Sequence, residues 1–106
     1  MTLEFRQGDT AEPIQGFLEE EDGSSMDLEG TVVYCHLKAE DGTKLIDGNQ
    51  GTVVDETTGE VKYEVKESEV DTPGDHDLWW VVEYADGQVT VPTRGDFEVF
   101  IEEVDN

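Results

Sequence analysis

Apolar and polar residues alternate along several short stretches of the chain, which is the pattern of β-strands with one buried face. The longest stretch runs from His76 to Tyr84, and a second runs from Thr31 to Lys38. Further strands are predicted at Leu3 and Phe5, Ile14 to Leu18, Lys44 to Ile46, Thr52 to Val54, Glu60 to Val65, Gln88 to Val91, and in a last strand whose inner face carries Phe97, Val99 and Ile101. The short run at Lys44 is expected to lie at a sheet edge.

Glycine-containing turn signals separate these strands at short intervals. They include Asp22-Gly23, Asp41-Gly42, Asp47-Gly48, Thr58-Gly59, Pro73-Gly74 and Asp86-Gly87. No stretch shows helical periodicity, and the nearest candidate, Lys66 to Val70, is at most one turn. The spacing predicts an all-β, immunoglobulin-like sandwich of two antiparallel sheets with about 7–9 short strands. We expect one domain over residues 1–106.

The strand phase also predicts the buried core, because alternate side chains point to opposite faces of a sheet. The predicted core residues are Leu18, Val33, Cys35, Leu37, Val61, Tyr63, Leu78, Trp80, Val82, Val99 and Ile101.

The opposite phase places several large side chains on the outside of one sheet. Tyr34, Trp79, Val81 and Phe100, with Val32 beside them, are predicted to form a single apolar patch there. A strongly acidic protein that exposes such residues is expected to cover them. The sequence leaves two alternatives for what covers the patch, a partner protein or a loop of the same chain.

The charge of the chain limits its partners. Twenty-eight acidic residues face six basic ones among 106 residues, which gives a formal charge of −22. Nucleic acid and anionic membrane surfaces would repel such a protein, so neither is expected as a partner. The charge predicts a halophilic source, where molar salt screens the carboxylates and cations act only as a diffuse atmosphere. An ordinary acidic protein that docks on a basic partner is the alternative.

The candidate reactive residues do not form a recognisable catalytic arrangement. Cys35 and His36 are adjacent in one strand and must point to opposite faces, so His36 cannot serve Cys35 as a base. His76 begins a predicted strand and is in phase with the residues that point to the core. We expect its side chain to be half-buried and hydrogen-bonded there. The acidic run at residues 19–22 lacks the alternating oxygen ligands and glycine of a calcium loop. We therefore expect no enzyme activity, no cofactor and no bound metal.

The amino-acid sequence resembles that of a known family. The segments that carry the resemblance are FRQGDTAEPIQGFLEEEDGSSMDLEGTVVYCHLK, VVDETTGEVKYEV and DTPGDHDLWWVVEYADGQVTVPTRGDFEVFI. They are similar to the immunoglobulin-like N-terminal domain of phage baseplate upper proteins and related small virion proteins of tailed viruses. Two features depart from that pattern: His76 stands where an aromatic residue, commonly Tyr, is expected, and the acidity is far beyond the phage norm. The second departure fits a tailed virus of a halophilic archaeon.

The resemblance implies an assembly module of the virion and not a catalyst. The expected partners are other virion proteins in the tail or baseplate, with several symmetric copies of the chain per particle. A decoration protein of the capsid, neck or head surface is one alternative. A cell-surface or carbohydrate-binding module of a halophilic host is another.

The charge generates a prediction about salt. The melting temperature of the isolated chain is expected to rise between ~0.01 M and ~1 M NaCl, because the Debye length falls from about 30 Å to about 3 Å and carboxylate repulsion is screened. Thermal unfolding followed by circular dichroism at several salt concentrations measures this. A melting temperature that does not change with salt would contradict the halophilic interpretation.

Overall fold

The fold is built from short strands joined by tight turns. The computed structural model describes residues 2–8, 10, 13–20, 22–91 and 98–103, and Phe97, predicted for the inner face of the last strand, lies outside these ranges. The elements in these ranges are β1 (Thr2–Arg6), β2 (Ile14–Phe17), β3 (Val32–Ala39), β4 (Lys44–Gln50), β5 (Thr52–Asp55), β6 (Glu60–Tyr63), a single 3₁₀ turn (Glu67–Val70), β7 (Gly74–Tyr84), β8 (Gly87–Val91) and β9 (Glu98–Glu102). The predicted all-β sandwich and its range of strand number are confirmed, and the one helical candidate is a single 3₁₀ turn.

The larger sheet is organised around β7, its longest strand. One edge of β7 pairs antiparallel with the whole of β3, from Val32↔Glu83 to Ala39↔His76. The other edge is divided: residues 74–77 pair with β9, and residues 80–84 pair with β8. The resulting order is β1-β9-β7-β3-β4, with β8 beside β7, and β4 lies at the edge as predicted. In contrast to the predicted antiparallel pairing, β1 runs parallel to β9.

The smaller sheet has the order β2-β6-β5 and is antiparallel. The chain enters it from β4 through Gly51, whose N–H donates to the carbonyl of Val33 at 2.8 Å. A Cβ atom at Gly51 would lie 2.8 Å from the ring of Trp80 and 2.9 Å from the Lys62 carbonyl. Glycine is required here because the backbone passes directly against the largest side chain of the core.

The core lies between the inner sides of the two sheets. Every side chain predicted for it is buried, with an exposed fraction of at most 6%. The structure adds residues that the strand pattern did not identify, among them Met26 and Leu28 from the irregular segment before β3. Backbone hydrogen bonds from Met26 to Leu18 and from Leu28 to Glu56 hold that segment over the core.

His76 differs from its prediction. It is fully buried, not half-buried, with an exposed fraction of 2%. Its Nδ1 lies 2.9 Å from the Gly74 carbonyl, while Nε2 has no hydrogen-bond partner among the described residues. The prediction failed because His76 is interior to the sheet, opposite Ala39 of β3 and Val99 of β9, and not at a frayed strand start. With Nδ1 donating, the unmatched Nε2 is a bare acceptor.

The strand phase of β7 can be tested with its two tryptophans. Replacing the buried Trp80 with Ala is expected to lower the free energy of unfolding by about 3–5 kcal/mol, the usual cost of removing a buried large aromatic. Trp79→Ala is the matched control and should cost clearly less, because Trp79 is partly exposed. Denaturant unfolding measures both losses. Equal losses would contradict the assignment of the two faces, since a one-residue slip exchanges them.

Candidate functional site

The outer side of the larger sheet carries a group of apolar and aromatic side chains. On β7, Trp79 and Val81 point away from the core, between the buried Leu78, Trp80 and Val82. On β3, Tyr34 lies opposite Val81, and His36 lies opposite Trp79. We call this surface the aromatic face and define it by Val32, Tyr34, His36, Trp79 and Val81. All five side chains are partly exposed.

The centre of the aromatic face is a stacked pair of rings. The His36 and Trp79 ring centroids are 5.1 Å apart, and the ring planes differ by 7°. The backbone of Gly48 approaches the His36 ring so closely that a Cβ atom at position 48 would lie 3.2 Å from Cε1 of the ring. Gly48 also has a φ of +72°, which favours glycine for a second reason. The pair therefore holds the Trp79 ring in one orientation on the surface.

Burial between these neighbours lowers the pKa of His36 from its ordinary value. The Asp47 carboxylate, with Oδ1 4.0 Å from Nδ1, opposes that shift, while Lys44 adds to it. At neutral pH the ring is therefore uncharged and stacks as an aromatic surface.

Phe100 does not join the aromatic face, contrary to the prediction of a single patch. Its register partner on β7 is Asp75, four residues from Trp79, which corresponds to about 13 Å along a strand. On its other side Phe100 lies opposite Glu4 of β1. The patch was predicted from strand phase, which does not give the register between strands; in the structure β9 pairs with residues 74–77, and β8 pairs with the half of β7 that contains Trp80. Phe100 is 37% exposed and lies beside Glu4, Arg6 and Glu102, apart from the aromatic face.

Charged residues lie along one end of the aromatic face. Lys38 follows His36 on β3 by two positions and lies opposite Lys44 of β4 on one side and Asp77 of β7 on the other. Lys44 is exposed, and its Nζ lies 3.9 Å from Oδ1 of Asp47. Two of the six basic residues of the chain are thus placed beside the exposed aromatic side chains.

A second exposed apolar group was missed by the sequence analysis. Phe17 and Val54 lie on the outer side of the smaller sheet and are 56% and 47% exposed. Phe17 lies opposite Glu60 of β6, and a register irregularity in β5 brings Val54 and Asp55 to the far side of the same glutamate. We call this surface the Phe17 face and define it by Phe17, Val54, Asp55, Glu60 and Lys62. The alternation of Ile14, Gly16 and Leu18 already placed Phe17 outside the core, so a signal for it was present.

A buried carboxylate at one end of the core was also missed. Glu69, 5% exposed, accepts a hydrogen bond from the Tyr63 hydroxyl at 2.7 Å and from the Lys66 backbone N–H at 2.8 Å. The Asn49 side-chain amide donates to it at 3.0 Å. Burial raises the pKa of Tyr63 to about 12. The network joins β4 of one sheet to β6 of the other, which gives it a structural role between the sheets.

The candidate reactive groups remain apart in the fold. Cys35 is fully buried, and burial followed by the charge of Glu69 raises the pKa of its thiol. His36 lies on the opposite side of the sheet, as the alternation required. Within the described ranges no three His, Cys, Asp or Glu side chains are grouped so as to hold a metal ion. No helix in the same ranges has the length and apolar character needed to cross a membrane.

Comparison with known proteins gives a structural relationship. No family model matches the chain, and no curated protein sequence matches it. The chain is similar in structure to the N-terminal domain of ORF48 of phage TP901-1. The TM-score is 0.63 at 14% sequence identity, over 96% of this chain and 85% of that chain. A likeness at this identity establishes a common fold, and function has to be argued from the surface of this chain.

The His36–Trp79 pair generates a prediction about titration. His36 is expected to titrate below its ordinary value of about 6.5, measured from its ring C–H resonances by NMR. Asp47→Asn should lower the midpoint further and Lys44→Gln should raise it, because these two charges act in opposite directions. With a folded pKa below the unfolded one, the unfolded chain binds the proton first, so His36 makes folding less favourable as the pH falls through about 6.5. A midpoint above that value would contradict the packing of the ring.

Proposed function

We propose that the chain is a non-enzymatic structural protein of a tailed virus from a high-salt host, and that it acts as an assembly module in the tail or baseplate. The chain would be assembled in the host cytoplasm and retained in the virion, where several symmetric copies bind neighbouring virion proteins. The observation that carries the proposal is the aromatic face, a partly exposed aromatic surface on a protein with a charge of −22. The fold shared with a domain of a phage protein supports the viral setting.

The chemistry of the surface supports binding of a protein. Aromatic side chains are enriched among interface anchors, because they bury a large area and lose little rotamer freedom. The stacking of Trp79 on His36 already restricts its ring, which lowers that cost further. In molar salt the carboxylate fields extend only about 3 Å, so apolar burial supplies the contact energy. Excluded salts strengthen such burial.

The proposed interface contains Tyr34, Trp79 and Val81 at its centre. We assign Phe100 to the same interface as a second, separate contact. It lies on the same side of the sheet as Trp79, about 13 Å away along the strands. A partner that spans both would cover β3, β7 and β9 together.

Incorporation into particles tests the proposal. Tagged copies of the chain are produced in the cells that make the particles, which are then purified by density gradient and probed for the tag. Trp79→Ser with Tyr34→Ser is expected to leave the chain folded and to reduce incorporation at least tenfold, the effect of about 1.4 kcal/mol of lost contact energy. Phe100→Ser alone should give a smaller reduction.

Val89→Ser is the matched control for that experiment. Val89 is an exposed apolar residue of the same sheet, but it pairs with the buried Val82 and so belongs to the other side of β8. This variant should be incorporated like the original chain. Normal incorporation of the Trp79 and Tyr34 variant would refute the proposed interface. Absence of the unaltered chain from purified particles would refute the virion assignment, and a label on the head would favour a decoration protein.

A further inference from the structure

The strand β8 leaves one edge of its backbone unpaired. It pairs with β7 along one edge, and among the described residues no strand lies along the other. Gly87, Gln88, Val89 and Thr90 are all exposed, and a Cβ atom added at Gly87 would meet no atom within 4 Å. Outside the strand ladders, no backbone hydrogen bond within the described ranges involves β8. The strand therefore presents N–H and C=O groups to which another strand can pair.

The turn before β8 determines which of its backbone groups point outward. A two-residue turn joins it to β7 between the paired residues Tyr84 and Gly87. Such a turn is closed by a hydrogen-bonded pair, and the backbone groups of successive residues in an antiparallel strand point alternately to its two edges. Counted from Gly87, the N–H and C=O groups of Gln88 and Thr90 point away from β7.

The free edge of β8 lacks the features that usually prevent edge strands from pairing. Those features are charged side chains, proline and irregular register. β8 has no charged residue and no proline, and its register with β7 is unbroken. Apart from β2, the other edge strands of the described sheets carry charges, namely Glu4 and Arg6 of β1, Lys44 and Asp47 of β4, and Asp55 of β5.

The residues that flank the two uncharged strands distinguish β8 from β2. Glu12 precedes β2 and Glu19 follows it in the sequence, so antiparallel pairing of two β2 strands would bring like charges together. β8 follows Asp86, and the next charged residue after it in the sequence is Arg94. Antiparallel pairing of two β8 strands therefore brings the acidic end of one strand to an end of the other that is not acidic.

We propose that two copies of the chain pair through the free edges of their β8 strands, antiparallel and about a two-fold axis. Gln88 of one copy is the hydrogen-bonded partner of Thr90 in the other, and the same pair recurs on the far side of the axis. This register matches the outward N–H and C=O groups of both residues in both copies. Pairing Gln88 with itself would leave Thr90 opposite the turn, and pairing Thr90 with itself would set Gln88 opposite Pro92, which has no N–H.

This pairing keeps the carboxylates of the two hairpins apart. Glu83 lies opposite Gln88, and Val81 lies opposite Thr90. Across the junction, Glu83 of one copy is therefore in line with Val81 of the other. The two Glu83 side chains are separated by three strand spacings or more, at least about 14 Å, which exceeds the Debye length of about 8 Å at physiological salt. Two chains of charge −22 can meet at β8 without placing like charges in contact.

Pairing at β8 joins the larger sheets of two copies into one continuous sheet. With the two-fold axis perpendicular to the sheet, both outer sides lie on the same surface, so the two aromatic faces flank the junction there. The inference rests on the proposed function only for the expectation that several copies occur together, and it names the contact between two of them.

A single contact of this kind is expected to be weak. One pair of short strands buries far less than the roughly 800 Å² per partner of a standard interface. We therefore expect a dissociation constant of about 0.1–1 mM in solution, and stronger pairing when neighbouring proteins hold the copies together in a particle.

Sedimentation velocity of the purified chain tests the pairing. At ~1 M NaCl the average mass is expected to rise from monomer towards dimer, and no further, between about 10 µM and about 1 mM chain. Thr90→Pro removes an outward N–H and leaves the groups that pair with β7, so it should weaken association at least tenfold while circular dichroism shows a folded chain. Thr90→Ala is the matched control because it keeps the N–H. Val89→Ser also alters no outward backbone group, and both should associate like the unaltered chain.

Disulfide formation tests the register without relying on the proline variant. Mixed copies of Gln88→Cys and Thr90→Cys are expected to form a mixed disulfide, because hydrogen-bonded partners have Cα atoms about 5.5 Å apart, within the usual disulfide range of about 4.4–6.8 Å. Either variant alone should give little linked dimer, since identical positions lie diagonally, about 7–8 Å apart. The natural Cys35 is fully buried and does not compete. A linked dimer from one variant alone, or none from the mixture, would overturn the proposed pairing.

Failure of the inference can be told apart from failure of the proposed function. An unaltered chain that stays monomeric up to about 1 mM overturns pairing between copies, whereas the effect of Trp79→Ser with Tyr34→Ser on incorporation still tests the aromatic face. If Thr90→Pro reduces incorporation while the purified chain is monomeric, β8 pairs with a different virion protein and the inference is wrong. Absence of the chain from particles would refute the virion assignment and leave the pairing measured in solution unchanged.

Discussion

The period-two geometry of β7 determines how the rest of the molecule is arranged. This strand pairs with β3 along one edge and with β9 and then β8 along the other, so its side chains define both sides of the larger sheet. Trp80 points inward and packs against the backbone of Gly51, where the chain passes to the smaller sheet. Trp79, one position earlier, points outward and stacks on His36. One alternation thus separates the largest core residue from the centre of the aromatic face.

The large negative charge of the chain opposes its folding into a compact sandwich. A chain of −22 repels itself when it becomes compact, and few basic residues are present to pair the carboxylates. Several carboxylates instead accept local hydrogen bonds in turns, as Asp22 does from Ser24 and Asp41 from Thr43. At the edge of the aromatic face Lys38 lies opposite Asp77 and Lys44 lies 3.9 Å from Asp47, so positive and negative charges are locally balanced there.

The buried network at Glu69 shows a different use of polarity. Its carboxylate is matched by a hydroxyl, a side-chain amide and a backbone N–H, so burial leaves it with partners from both sheets. Removing one partner of such a network costs more than the average hydrogen bond, because the remaining groups stay buried. The network fixes how the two sheets meet at the end of β4, where apolar contacts alone would be less directional.

The sequence by itself determined the strands, the predicted core and the outward direction of Tyr34, Trp79 and Val81. Alternation is a local property, and one buried face suffices to set its phase. Only the tertiary structure decided that β8 and β9 share one edge of β7, which separates Phe100 from Trp79, and that Glu69 and His76 are buried. Those outcomes depend on pairing between residues far apart in the chain, which a local pattern does not encode. The Phe17 face was predictable in part. The alternation of β2 places the Phe17 side chain outside the core, but the position of Val54 on the same side depends on the register irregularity of β5.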